Sequence, residues 1–137
     1  MAAVTVVALQ PVAPAVAADA GNARVELVSV EPAAPAAGEE VTFTWRVSDP
    51  DPFAVMVEFD LHYGDGPHTR PPGGVSLPCS EVVHAAGLEH TFKTFHRYRS
   101  PGAHEGRVTI TTQQMVCGAP LGQRETSPTV AFVVQVH

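Results

Sequence analysis

Lysine occurs once, at Lys93, and the arginines do not offset fourteen acidic side chains, so the formal net charge is −6. A chain with so little positive charge lacks the field that nucleic-acid binding draws on, and no nucleic-acid partner is expected. No apolar run is long enough to span a bilayer, so no integral membrane segment is expected either. Tryptophan appears once, at Trp45, and cysteine twice. Long uninterrupted stretches are also missing. Thirteen prolines and 11 glycines break up the 137 residues, which argues against a helical bundle because both residues disfavour helix interiors. What is present is a hydrophobic fraction of 45%, enough for the core of one domain.

Residues 1–20 stand apart from the rest. A short apolar stretch, Ala2 to Leu9, precedes Pro11, Pro14 and a run of small residues ending at Ala20. Small residues at this spacing suit a signal-peptidase site, although the first basic residue is as late as Arg24. The segment reads either as a secretion signal, in truncated form, or as a disordered leader. Residues 21–137 form the single folding domain. Two cysteines in a short, apparently exported chain suggest one disulfide, Cys79–Cys117. It would close a loop of roughly 40 residues, worth about 4 kcal/mol in the chain-entropy model.

Alternation at period two marks the strands. In Val41–Ser48 the apolar positions are Val41, Phe43, Trp45 and Val47. In Thr129–Val136 they are Val130, Phe132, Val134 and Val136. Arg24–Val30 turns Val25, Leu27 and Val30 inward. Val55–Tyr63 is expected to turn Val55, Val57, Phe59, Leu61 and Tyr63 inward, leaving Met56, Glu58, Asp60 and His62 outside. Glu89–Phe95 and Arg107–Val116 complete six strong strands, with a weak seventh at Glu81–His84. Short strands with one apolar face imply two packed sheets: an all-β, immunoglobulin-like β-sandwich of about seven strands. A small closed barrel is the alternative.

Two motifs carry a family resemblance. Ser48-Asp49-Pro50-Asp51, followed by Phe59-Asp60-Leu61-His62-Tyr63-Gly64-Asp65-Gly66, resembles the first half of the PKD-type immunoglobulin-like signature. His96-Arg97-Tyr98-Arg99-Ser100-Pro101-Gly102, leading into Val108-Thr109-Ile110, resembles the second. The chain departs from the family pattern at Leu61, His62 and His104, and its 67–87 loop is longer. The resemblance implies that Gly64, Asp65, Gly66, His96, Tyr98, Pro101 and Gly102 specify the fold. In physical terms Tyr98 would bury its ring and give its hydroxyl to the backbone. Pro101-Gly102 would form a tight turn, and Asp65 would accept bonds within its own turn. PKD-type modules serve as spacers or adhesion modules on surface and secreted proteins.

Other chemistry is weaker in the sequence. Asp49, Asp51 and Asp65 could supply oxygens to calcium, which takes six to eight of them, but no dense acidic loop accompanies them. His62, His90, His96 and His104 would have to converge to hold zinc. No nucleophile elbow is present. No cofactor is therefore required. The two longest loops offer His68, Arg70, Glu81 and His84 on one side and Gln123 and Arg124 on the other. If the disulfide joins them, they form one polar surface suited to an extracellular protein or glycan. The expected function is a non-catalytic binding or structural module, secreted or at the cell surface. A calcium-stabilised adhesion module is one alternative, and a small secreted enzyme or enzyme inhibitor using the 67–87 loop is another.

Overall fold

The computed structural model describes residues 21–66, 86–116 and 119–137. Eight strands run in chain order: β1 (Arg24–Glu31), β2 (Glu40–Asp49), β3 (Ala54–His62), β4 (Leu88–Arg97), β5 (Gly102–Val116), β6 (Ala119–Pro120), β7 (Glu125–Thr126) and β8 (Val130–Val136). The described residues contain no helix. One sheet has the order β1-β2-β4. The other is organised around β5, which pairs with β3 on one edge and with β7 and β8 on the other, while β6 folds back on its end. Every pairing is antiparallel. The two sheets pack as a β-sandwich rather than closing into a barrel.

The core follows the alternation of the strands. Val41, Phe43, Trp45 and Val47 are all fully buried, and Phe43 and Trp45 both meet Phe132 of β8 across the gap. Trp45 meets Phe59 and Phe132 edge-on at 5.9 and 5.6 Å, a geometry that sets the positive ring edge against a negative face. Its indole N–H donates to Thr94 Oγ1 at 2.9 Å, so no buried donor is left unpaired. Leu61, Tyr98, Val108, Ile110 and Phe132 belong to the same cluster. In β8, Phe132, Val134 and Val136 are buried and Val130 packs against them.

Two bulges change which residues face inward. The β1–β2 register slips between Leu27 and Ser29. Val25 and Val30 are therefore both buried although their numbers differ in parity, and Val28 is left 52% exposed. The β3–β5 register slips between Met56 and Glu58. This corrects the expected face of β3: Ala54 and Met56 are buried before the bulge and Phe59 and Leu61 after it, while Val55 and Val57 are only partly covered. An inserted residue reverses the inside and outside of everything on one side of it.

β5 also begins earlier than expected, at Gly102 rather than Arg107, because residues 102–108 pair with β8. Within it, Gly106 lies under the Phe132 ring, where a Cβ would come within 2.2 Å of the ring edge. The weak strand expected at Glu81–His84, Cys79 and Cys117, and residues 1–20 all lie outside the described residues.

Candidate functional site

Chemistry-bearing side chains collect at the two opposite ends of the sandwich. At the first end, Gly64-Asp65-Gly66 follows β3 and His96 and Tyr98 close β4. Gly64 has φ +92° and approaches the Glu105 backbone so closely that a Cβ would sit 2.2 Å from the Glu105 carbonyl oxygen. Only glycine fits there. Tyr98 is 1% exposed, and its hydroxyl donates to the Tyr63 carbonyl at 3.1 Å, tying the end of β4 to the strand in the other sheet. The Gly38 N–H donates to the Tyr98 carbonyl at 2.7 Å, which ties in the β1–β2 connection as well. Gly102, at φ +121°, opens β5 after Pro101.

Asp65 reaches across to the end of β4. Its Oδ2 lies 2.7 Å from His96 Nε2, and the His96 ring stacks on Tyr63 with centroids 4.0 Å apart. His104 lies against the other side of Tyr98, its Nε2 2.8 Å from the Ser100 carbonyl. Burial holds the Tyr98 phenol well above the usual range, and the negative charge of Asp65 adds to this. Tyr63 is raised for the same first reason, against a lowering hydrogen bond with Thr94. A groove of about 730 Å³ runs beside the turn, lined in part by Asp65, His96, Arg99 and His104.

At the second end the side chains are carboxylates. Asp49, the last residue of β2, is 1% exposed. Its Oδ2 accepts from Thr112 Oγ1 at 2.6 Å and its Oδ1 from the Asp51 N–H at 2.9 Å. Asn22 Nδ2 donates to Asp51 Oδ1 at 2.8 Å. Between β2 and β3, Phe53 takes φ +61°, and its carbonyl accepts the Met115 N–H at 2.9 Å. Glu125 arrives on β7, which pairs with Thr111 and Thr112. Asp49, Asp51 and Glu125 each bring an oxygen within 4.8 Å of the others. The Glu125 carboxyl is raised by its partial burial, and the Asp51 and Asp49 charges push it the same way, against a lowering bond from the Asn22 N–H.

The expected calcium trio is thus split. Asp49 and Asp51 meet, but Asp65 lies at the other end, on His96. Glu125 takes the third place. Glu125 carries no local signal in the sequence. Thr112 does carry one: it falls on the same parity as Val108 and Ile110 and is 1% exposed, and a hydroxyl at such a position requires a buried partner. Of the four histidines considered for zinc, none belongs to a group of three possible ligands among the described residues. Gln123 and Arg124 are exposed, beside a loop held by Gln113 Nε2 donating to the Gly122 carbonyl at 2.9 Å. His68, Arg70, Glu81 and His84 lie outside the described residues. The flanks of that segment, Gly66 and Ala86, lie at opposite ends of the sandwich, since Leu88 pairs with Asp49 and Arg97 with Glu40.

No protein-family model matches the chain, and no curated protein matches it. Among solved structures it is similar to the Pseudomonas fluorescens alkylpurine DNA glycosylase AlkC bound to DNA containing an abasic-site analog, at 15% identity and a TM-score of 0.49. The match covers 85% of this chain and 31% of that one. The chain therefore spans about a third of that protein, and a likeness at this level carries no argument about what this chain does. Among the described residues, no helix is long and apolar enough to cross a membrane.

Proposed function

We propose that the chain is a non-catalytic binding or structural module, an immunoglobulin-like sandwich of the PKD type that works outside the cell or at its surface. The observation that carries this reading is the corner at Tyr98. The part of the PKD-like signature that surrounds Gly64-Asp65-Gly66 and His96–Gly102 meets there in structural roles, while Asp49 and Asp51 of the same signature lie at the other end. Tyr98 pins β4 to the Tyr63 backbone, Gly64 admits the Glu105 backbone, and Asp65 and His96 engage each other. Their polar groups engage one another or the backbone, and Asp65 and His96 also line the groove beside the turn. On such a scaffold the loops carry the contacts, and the exposed Gln123 and Arg124 are the described part of that surface. The test is binding of the full chain to arrayed extracellular glycans and surface proteins. Binding that falls in the Gln123→Ala/Arg124→Ala variant at unchanged Tm supports the reading. Turnover of any arrayed glycan or ester overturns its non-catalytic part.

A second reading is favoured by one observation, the meeting of Asp49, Asp51 and Glu125. All-oxygen, all-anionic donors suit a hard cation such as calcium, and this module would then be calcium-stabilised. Millimolar calcium should raise Tm in the unaltered chain and leave Glu125→Gln unmoved. An unchanged Tm in both discards it.

A further inference from the structure

The Tyr98 end of the sandwich gathers basic groups in a chain that is otherwise short of them. β4 closes at Arg97 and β5 opens at Gly102, and between them the chain crosses from one sheet to the other. The neighbouring Gly64-Asp65-Gly66 turn leaves room beside this crossing, since a Cβ at Gly66 would meet nothing within 4 Å. The result is the groove of about 730 Å³, a volume within the range of small-ligand sites. Among the described residues that line it, His96, Arg97, Arg99 and His104 stand against a single acid, Asp65, in a chain of net charge −6.

The bonds these groups already make decide what they can still take. His96 Nε2 and Asp65 Oδ2 hold each other at 2.7 Å. Arg97 reaches Glu40 Oε2 at 3.4 Å and the Gly38 carbonyl at 3.3 Å. His104 Nε2 lies on the Ser100 carbonyl, which only accepts, so that nitrogen carries the hydrogen and Nδ1 is left over. Among the described residues no hydrogen bond or ion pair engages the Arg99 guanidinium, the Ser100 hydroxyl or Asp65 Oδ1. The groove therefore offers one unmatched cation, one open carboxylate oxygen and one open hydroxyl.

We propose that this groove binds a carboxylate-bearing sugar, such as a uronic acid residue of an acidic polysaccharide. Arg99 takes the sugar carboxylate in a fork of two parallel N–H···O bonds, and the charge of Arg97 adds to the attraction. Asp65 Oδ1 and the Ser100 hydroxyl then take ring hydroxyls. Asp65 is the group that selects a sugar over a simple anion: a carboxylate in the wall accepts from hydroxyls and repels the oxygens of phosphate or sulfate. A nucleic acid would meet that same repulsion and the acidic excess of the rest of the molecule. The site is separate from the Gln123 and Arg124 surface, because the adjoining Glu125 pairs with Thr112 at the far end of β5. It rests on the reading above only in taking the chain to be a binding module. Contacts of one carboxylate and a few hydroxyls on an exposed arginine make a weak complex, weakened further by salt.

Amide NMR titration of the full chain tests this, with oligosaccharides of glucuronic, galacturonic and mannuronic acid, each beside its carboxyl-reduced neutral counterpart. At least one acid should bind, with shifts centred on Asp65, His96 and Arg99. Carboxyl reduction and Arg99→Gln should each weaken binding about tenfold or more. Arg99 is exposed, so circular dichroism and Tm should stay unchanged in that variant. Gln123→Ala/Arg124→Ala should bind as the unaltered chain does. The proposal is overturned if none of the three acids binds, if the neutral counterparts bind equally well, or if Arg99→Gln leaves binding intact. Acetate or inorganic phosphate binding as tightly as the sugar overturns it too, since the hydroxyls would then contribute nothing. Binding lost in Gln123→Ala/Arg124→Ala but kept in Arg99→Gln overturns this site while leaving the loop surface standing.

Discussion

The two ends of the sandwich solve the burial of polar groups in opposite ways. At the Tyr98 end the groups are neutral or mutually compensating: a phenol on a carbonyl, a carboxylate on an imidazole, rings stacked on rings. At the Asp49 end three carboxylates approach one another, with hydroxyl and amide donors as their only described partners. The first end holds its shape through complementary pairs. The second holds together despite its own repulsion, because Asp49 is held by Thr112 and the Asp51 amide. The difference separates a corner that stabilises the fold from a cluster that a cation would relieve.

The comparison breaks most visibly at Tyr98. Tyr98→Ala removes a buried ring and should cost about 3–5 kcal/mol, whereas Tyr98→Phe removes only the bond to the Tyr63 carbonyl and should cost about 1–2 kcal/mol. Urea unfolding of both variants measures the gap, and a Tyr98→Phe variant as stable as the unaltered chain would mean that the hydroxyl pins nothing. At the other end, Asp49→Ala strands the Thr112 hydroxyl and the Asp51 N–H and should cost about 1–3 kcal/mol. Asp49→Asn should cost less in the same assay, since it removes repulsion while keeping an acceptor.

pH should sharpen the contrast further. Tyr63 and Tyr98 have raised pKa values in the fold, so the unfolded chain deprotonates first. The stability they contribute is complete below about pH 10 and is lost as pH rises through their folded values. Absorbance titration should show both phenols ionising late and together with unfolding. The smallest effect is expected at Glu125, which is partly exposed. Its raised carboxyl favours the protonated form, so its contribution is complete below its ordinary value of 4.5 and fades as pH climbs above that. Glu125→Gln should remove this slope from a Tm-against-pH profile without changing Tm in acid. A slope that persists would place the repulsion elsewhere.

Much of the fold is legible locally. β2 and β8 alternate without interruption, and the inward set from Val41 to Val47 is found where the period places it. β3 was legible as a strand but not in its phase. Val55, Met56 and Val57 are all apolar, so nothing local marks the bulge there, which is fixed by pairing with Thr111 and Thr112 on a strand some fifty residues later. The Tyr98 end could be read because its motif is contiguous on either side of β4. The Asp49 end could be read only in part. Its third carboxylate comes from a two-residue strand, and the contact from Asn22 to Glu125 joins positions 103 apart.

The dependence of one whole sheet on β5 has a consequence for how the chain is made. β1 and β2 can pair as soon as both have left the ribosome. β3 leaves next, but its hydrogen-bonding partner is β5, which begins only at Gly102. Throughout that interval β3 has an unanswered ladder and an apolar face, the kind of edge that recruits other chains. β5 also closes in stages, since its last residues pair with β3 while its first seven wait for β8 at the end of the chain. Nascent chains halted before Gly102 should therefore be the aggregation-prone species, and those carrying residues 24–136 should be soluble. A sedimentation assay on stalled ribosome complexes would show whether assembly of this sheet is in fact withheld until the last strand emerges.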